Sequence, residues 1–206
     1  GSGLAPREGP LTLIQQDDAL LFRQDGSRIV IEGTAKAVPW ARHARHLVIA
    51  GGAGAQRVVG IVAADAPGIG MTHAQNIAHE PRDTVMFRNV ALLEHACWDA
   101  PLPDAPALLF GALARSVMMV GAAQSLLQQS VEYANQRVQF GKPIGKYQAI
   151  QHSLAVFAGE VACAQTATLA ACQAAAVAPS PFDVAVAKVR AGQAAEAAAG
   201  IAHQVH

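Results

Sequence analysis

Tyr133-Ala134-Asn135-Gln136-Arg137-Val138-Gln139-Phe140-Gly141-Lys142-Pro143-Ile144-Gly145, continued by Tyr147-Gln148-Ala149-Ile150-Gln151-His152, stands between two long alanine-rich stretches. Gly141, Pro143 and Gly145 interrupt the helical pattern there and release backbone groups from helical pairing. Arg137 brings a planar fork of donors suited to phosphate, and Phe140 a flat face suited to a ring. On its residues alone the segment also fits a plainer reading, a helix ending at Gly141 with Arg137 extended into solvent.

On the N-terminal side of the break a helix is expected from near Pro106 to about Gly141, roughly 35 residues, a length that suggests a bundle. On the C-terminal side a second should begin near Lys146 and reach about Val177. Ile150, Leu154, Phe157 and Val161 there form a stripe at alternating four- and three-residue steps. Ser180-Pro181-Phe182-Asp183 reads as the start of a third helix, with Ser180 as N-cap, Pro181 at the first helical position and Asp183 near the positive end. Its many alanines permit close helix approach, within the bundle or across a subunit interface.

The first half of the chain has a different grain. Leu11 to Ile14, Ala19 to Arg23, Arg28 to Glu32, His46 to Ala50, Arg57 to Ala64 and Thr84 to Arg88 read as short strands. Turn signals at Asp25-Gly26, Gly51-Gly52-Ala53-Gly54 and Ala66-Pro67-Gly68 separate them. Repeated strands without intervening helices predict an antiparallel β-barrel or sandwich. Pro101, Pro103 and Pro106 mark the change of character. The fold class is therefore α+β, with an antiparallel β-barrel or sandwich domain over residues 1–100 and a four-helix-bundle type of domain over 101–206.

Composition narrows the function. Of the 206 residues 52% are hydrophobic, ample for a core, and the formal charge is zero. That balance, with no Lys/Arg run, argues against nucleic-acid binding, whose affinity comes from neutralising phosphates. No membrane span and no secretory signal are expected. Cys97, Cys163 and Cys172 are odd in number and irregularly spaced, which suits reduced thiols in the cytoplasm. Cys163 and Cys172, in an alanine-rich helix, are expected to be small buried hydrophobes. His43 with His46, and His203 with His206, sit three apart but lack companions that would complete a metal site, so no metal is expected. Gly51-Gly52-Ala53-Gly54 is followed by no Gly-Lys-Ser/Thr and reads as a hairpin loop, and Gly33 reads as a turn glycine.

The quoted stretch closely resembles the signature of the acyl-CoA dehydrogenase family, Y-A-x-x-R-x-Q-F-G-x-P-I-G followed by F-Q-A-I/V-x-H. Weaker similarities lie in Arg28 to Ala41, which looks like the family's L-x-G-x-K-x-x-V-x-x-A hairpin, and in Gln75 to Phe87, like a later strand leading into F-x-x-V. The resemblance implies the end of a middle β-domain followed by part of a C-terminal helical domain, and FAD as cofactor. It implies desaturation of an acyl-CoA thioester at the α,β position, with electrons passed to an electron-transfer flavoprotein. It also implies a homo- or hetero-oligomer with FAD at the subunit interface.

Carried over residue by residue, the resemblance assigns Arg137, Gln139 and Phe140 to the diphosphate and adenosine part of FAD, usually one bound by a neighbouring subunit. Gln148 falls near the cofactor. Gln204 matches the glutamine of the family's Q-x-H-G-G segment by the adenine, which makes His203 and His206 loop residues. A dianionic diphosphate calls for a cationic fork and neutral amide donors.

The departures are equally specific. Ala37-Val38-Pro39 stands where many members place Trp-Ile-Thr against the flavin; Trp40 is a nearby substitute or a core residue. The base that removes the α-proton is a carboxylate with a tuned pKa. Most members carry it beyond the stretch matched here, others early in the first long helix, where Gly111 and Ala112 stand in this chain. The catalytic residues are thus unknown. Arg115, one turn away, approaches substrate or sits on the surface, and Glu132 and Glu160 are expected to solvate helix faces. A second reading follows: a non-catalytic partner subunit of a heteromeric acyl-CoA dehydrogenase, contributing FAD contacts and assembly only.

Overall fold

A computed structural model describes residues 8–15, 19–53, 56–92, 94–98, 106–177 and 180–206, with side chains for most of them. The chain forms two compact units, Gly1–Ala107 and Leu108–His206. The expected domain boundary at residues 100 and 101 lies outside the described residues, as do Pro101 and Pro103.

The first unit is built from β1 (Leu11–Gln15), β2 (Leu20–Asp25), β3 (Arg28–Pro39), β4 (His46–Ala53), β5 (Gln56–Ala63), β6 (Ile69–Thr72), β7 (Arg82–Ala91) and β8 (Glu94–Trp98). They form two four-stranded sheets ordered β1-β4-β5-β8 and β2-β3-β7-β6. Alternation along β1 and along most of β7 turns one set of side chains inward, while β3 buries Ile29, Val30 and Ile31 in succession. Ile14, Leu47, Ile49, Val58 and Val62 of the first sheet meet Leu20, Ile31, Val85 and Phe87 of the second in one core. Each large side chain so buried contributes about 1.5–3 kcal/mol of transfer free energy. This is the sheet-on-sheet sandwich expected from sequence, with one exception to the antiparallel rule: β1 pairs with β4 in parallel, Leu11 opposite His46. Two strands had no clear sequence signal, β6 because it is four residues long with a glycine inside, and β8 because Glu94-His95 opens it.

Gly33 is not a turn residue. It lies inside β3 at φ +119°, at a register shift against β7, and a Cβ there would drive into the carbonyl oxygen of Ala19. Gly51, Gly52 and Ala53 likewise belong to β4, paired with Val58, Arg57 and Gln56, rather than to a loop; Gly54 lies outside the described residues.

The second unit contains α1 (Pro106–Gln136), α2 (Gln148–Ala175) and α3 (Pro181–Val205). Ser180 caps α3 as expected, its hydroxyl accepting from the Asp183 N–H at 3.2 Å. α1 ends at Gln136, short of Gly141, because a two-stranded hairpin intervenes. Three buried layers hold the helices together: Leu113 with Ala171, Val184 and Ala187; Val120 with Ala164, Ala191 and Ala194; Ala123 with Phe157, Val161, Ala198 and Ala202. The order of partners along each helix makes α2 antiparallel to both α1 and α3. The end of α1, the start of α2 and the end of α3 therefore share one end of the unit.

By length and composition alone Leu108–Gln136 and α2 would reach across a bilayer, with mean hydropathies of 1.3 and 1.4. Both carry strongly polar residues well inside the helix, Gln124, Gln128, Gln129 and Glu132 in α1 and Glu160 and Gln165 in α2, which hydrocarbon disfavours. Only 22% and 28% of these apolar windows are buried within the unit, so helix-on-helix packing accounts for part of their apolar content. Cys172 is half-buried, but Cys163 is exposed on α2 rather than buried.

Candidate functional site

Arg137 follows the last residue of α1. Its N–H still donates to the Tyr133 carbonyl at 2.8 Å, while its own carbonyl accepts from Ile144 at 2.8 Å, closing the loop 138–143 on itself. Within it, β9 (Val138–Gln139) and β10 (Lys142–Pro143) pair with Gln139 opposite Lys142. Phe140 and Gly141 form the two-residue turn with φ of +52° and +82°, the pattern of a type I′ turn. Glycine accepts that conformation readily; a bulky aromatic does not. Phe140 is moreover 94% exposed, so its ring gains nothing from packing. Packing within the unit therefore does nothing to offset the strain at Phe140.

Gln139 orients Arg137. With its amide oxygen assigned toward the guanidinium, it accepts from Arg137 Nε at 3.3 Å and Nη2 at 2.8 Å. That leaves the Arg137 Nη1 donors and the Gln139 amide NH2 for a ligand. No acid occurs between Arg137 and Gly145, and Lys142 adds a second positive charge, so the donor set suits an anion.

Gln148 is the first residue of α2 and is exposed. Gln204 lies exposed in the last turn of α3, and His203 and His206 belong to that turn and its cap instead of a loop. The structure thus joins Arg137 and Gln139 directly, sets Phe140 beside them, and places Gln148 and Gln204 at the same end of the helical unit.

Two tyrosines tie these segments together, and spacing in the sequence singles out neither. The Tyr147 hydroxyl donates to the Gln139 carbonyl at 3.0 Å, and Lys142 Nζ lies 4.4 Å from the centre of the Tyr147 ring. The Tyr133 ring stacks on His206, centroids 4.5 Å apart, and its hydroxyl donates to the His206 carbonyl at 3.2 Å. Ser130 Oγ is 3.3 Å from His206 Nε2. The one sequence signal is the hydroxyl itself at Tyr147, where the motif's Phe has none.

The remaining candidates fall elsewhere. Gly111 and Ala112 of α1 offer no ionisable group, and Arg115 is half-buried. Glu132 is exposed and accepts from Gln128 Nε2 at 2.9 Å. Glu160 does more than solvate a face: it pairs with Arg190 of α3 at 3.1 Å. In the β unit Trp40 is not a core residue, being 48% exposed at φ +54° with its ring 5.7 Å from that of His43. Among the described residues no group of three or more His, Cys, Asp or Glu gathers as a metal site.

Comparison with known proteins agrees with this architecture. Residues 106–206 match the model of the acyl-CoA dehydrogenase C-terminal domain. The acyl-CoA dehydrogenase IpdE2 of Mycobacterium tuberculosis is 38% identical over 113 residues, 55% of this chain and 33% of that protein. The structure of the ChsE4-ChsE5 complex from Mycobacterium tuberculosis superposes with a TM-score of 0.77 at 22% identity, covering 95% of this chain and 55% of that one. A glutaryl-CoA dehydrogenase from Mycobacterium smegmatis in complex with FADH2 gives 0.74 at 19% identity over 95% of this chain and 55% of that one. The chain thus spans about a third of the curated relative and about half of the solved ones, and the solved ones establish the fold alone. With residues 106–206 matched as its C-terminal domain and a curated acyl-CoA dehydrogenase 38% identical over 113 residues, the chain belongs to the acyl-CoA dehydrogenase family.

Proposed function

We propose that this chain is part of an FAD-dependent acyl-CoA dehydrogenase that desaturates an acyl-CoA thioester at the α,β position and passes electrons to an electron-transfer flavoprotein. The carrying observation is the strained hairpin: Arg137, oriented by Gln139, beside a Phe140 ring held in solvent at positive φ. A cationic fork, a neutral amide and an aromatic face fit the diphosphate and adenosine of FAD. When bound, FAD supplies the two-electron oxidant. Arg137 Nη1 and the Gln139 NH2 hold the diphosphate, Phe140 shields the ring, and Gln148 and Gln204 add neutral donors. The exposure of Val138 and Phe140 on the hairpin supports a site completed by a second subunit, as do the exposed apolar side chains Met118, Leu169 and Val189 on the helices. One relative is glutaryl-CoA dehydrogenase in complex with FADH2, which supports the cofactor.

A second reading, a partner subunit contributing FAD contacts and assembly without a base, is favoured by Gly111 and Ala112, and by the engagement of Glu160 with Arg190. The similar fold of the ChsE4-ChsE5 complex supports a heteromeric assembly.

One experiment tests both. The intact protein is purified and its visible spectrum recorded before and after adding a panel of acyl-CoAs. A yellow protein bleached by a thioester supports the enzyme; a yellow protein bleached by none supports the partner subunit; a colourless protein that takes up no added FAD removes both.

A further inference from the structure

The hairpin that carries Arg137, Gln139 and Phe140 is held by four paired residues, Val138, Gln139, Lys142 and Pro143. So short a ribbon has marginal stability of its own. Its aromatic tip also sits at positive φ, which weakens it further. Something else must fix it: Tyr147 reaches it directly, and Tyr133 braces the helix end from which it springs. On the α2 side Tyr147 donates its hydroxyl to the Gln139 carbonyl at 3.0 Å and carries the Lys142 ammonium over its ring. On the α1 side Tyr133 lies one helical turn before Arg137, joined to it by the backbone bond that any residue there would make, and its side chain stacks on His206 and donates to the His206 carbonyl, bracing the end of α1 against the end of α3.

We propose that Tyr133 and Tyr147 are positioning residues for FAD, holding Arg137 and Gln139 in fixed relation to Gln148 at the start of α2 and Gln204 at the end of α3. The proposal rests on the reading of the hairpin as a diphosphate site. Tyr147 is the immediate neighbour of Gln148, so its bond to Gln139 sets the distance between two of the proposed FAD contacts. Tyr133 does the same for Arg137 and Gln204 through His206, two residues beyond Gln204. Ordering these groups before the ligand arrives removes their ordering cost from the binding step. The Phe of the family motif would keep the ring under Lys142 and lose only the bond to Gln139, which makes Tyr147→Phe a one-atom test.

The intact protein is stripped of flavin and titrated with FAD, then with ADP as competitor, for wild type, Tyr133→Phe, Tyr147→Phe and the double variant. The thermal midpoint of each apoprotein is recorded alongside. The Kd for FAD is expected to rise about three- to tenfold in each single variant, the effect of one lost hydrogen bond, and further in the double. ADP competition should weaken in parallel while the apoprotein midpoint holds. Unchanged FAD and ADP binding in both single variants overturns the proposal and leaves the FAD site standing. A fall in the apoprotein midpoint that accounts for the weaker binding makes the tyrosines structural only, and overturns it as well. If wild type binds no FAD, the diphosphate site falls and the proposal with it.

Discussion

Arg42 grips Asp83 from two directions: its backbone N–H donates to Asp83 Oδ2 at 2.9 Å and its guanidinium Nε to Oδ1 at 3.0 Å. Ala74 N–H adds a third donor at 3.2 Å, and Arg42 Nη2 reaches the Ala74 carbonyl at 2.7 Å. Asp83 is completely buried, so the pair fastens β7, the 3-10 turn Ala41–His43 and the loop before Pro81 into one piece. Removing the partner of a buried charge costs about 3–5 kcal/mol. Arg42→Ala, which strands the carboxylate, should therefore destabilise the protein more than Asp83→Asn, which keeps a polar group of the same shape. Urea unfolding followed by tryptophan fluorescence checks the order.

The same pair predicts an acid response. The Arg42 hydrogen bonds hold the Asp83 carboxyl at about 2, below its ordinary 3.8, against the opposing effect of burial. A lowered folded-state pKa contributes stability that is complete above the unfolded value and lost as pH falls toward the folded one. Stability should thus decline between about pH 4 and pH 2, and Asp83→Asn should flatten that part of the profile. A slope unchanged by the substitution contradicts it.

Gly33→Ala tests the bulge in β3. A Cβ at φ +119° is strained by itself, and this one would collide with backbone, which cannot swing aside as a side chain can. The expected cost is about 2–4 kcal/mol, read as a lower urea midpoint. Gly26, also at positive φ but with open space around it, should tolerate alanine at the cost of the backbone term alone, about 1 kcal/mol.

What the sequence disclosed, and what it withheld, divides along local and non-local lines. Ser180 could be read as a cap because its partner, Asp183, is three residues away. The strand runs were legible because short β-branched and apolar runs bounded by turn residues are written within each strand's own sequence. Arg42 and Asp83 lie 41 residues apart, and no spacing rule joins them. The parallel pairing of β1 with β4 is equally hidden, since β2 and β3 intervene. Trp40 looked equally suited to a core, and it is the left-handed backbone at that residue, invisible in composition, that leaves it half-exposed. At the candidate site Arg137, Gln139 and Phe140 were legible as chemistry. Their support by Tyr133 was not, because His206 lies 73 residues on.

Phe140 sets stability against binding. Replacing it with Asn, which favours the first position of a type I′ turn, relieves the positive-φ strain and should leave the apoprotein as stable or more so by about 0.5–1 kcal/mol. The same change removes the aromatic face and should weaken retention of FAD. Thermal midpoints of apoprotein and flavin-loaded protein, measured side by side, should move in opposite directions; a parallel fall of both would mean that Phe140 serves folding alone.

Arg137→Lys separates charge from geometry. Lysine keeps the positive charge but lacks the planar fork that Gln139 orients through Nε and Nη2. If the fork holds a diphosphate, Arg137→Ala should weaken FAD binding by about 10–100-fold, the worth of a charge-assisted hydrogen bond, and lysine should restore only part of it. Full rescue by lysine would show that position 137 supplies a field and no directed bond.

Glu132 and Glu160 decide whether α1 and α2 hold a base. A general base must reach the substrate proton and be free to take it up. Glu160 is held by Arg190 across to α3, and Arg190 is held in turn by Gln193. Glu132 is exposed and paired along its own helix with Gln128, on an open helix face with no pocket among the described residues around it to orient a substrate. Glu160→Gln should therefore cost at most about 1 kcal/mol of stability, as a half-exposed pair does, and both Glu132→Gln and Glu160→Gln should leave flavin bleaching by a thioester at the wild-type rate. A variant that keeps its FAD and its fold but no longer bleaches would identify that glutamate as the base, and would remove the partner-subunit reading in the same measurement.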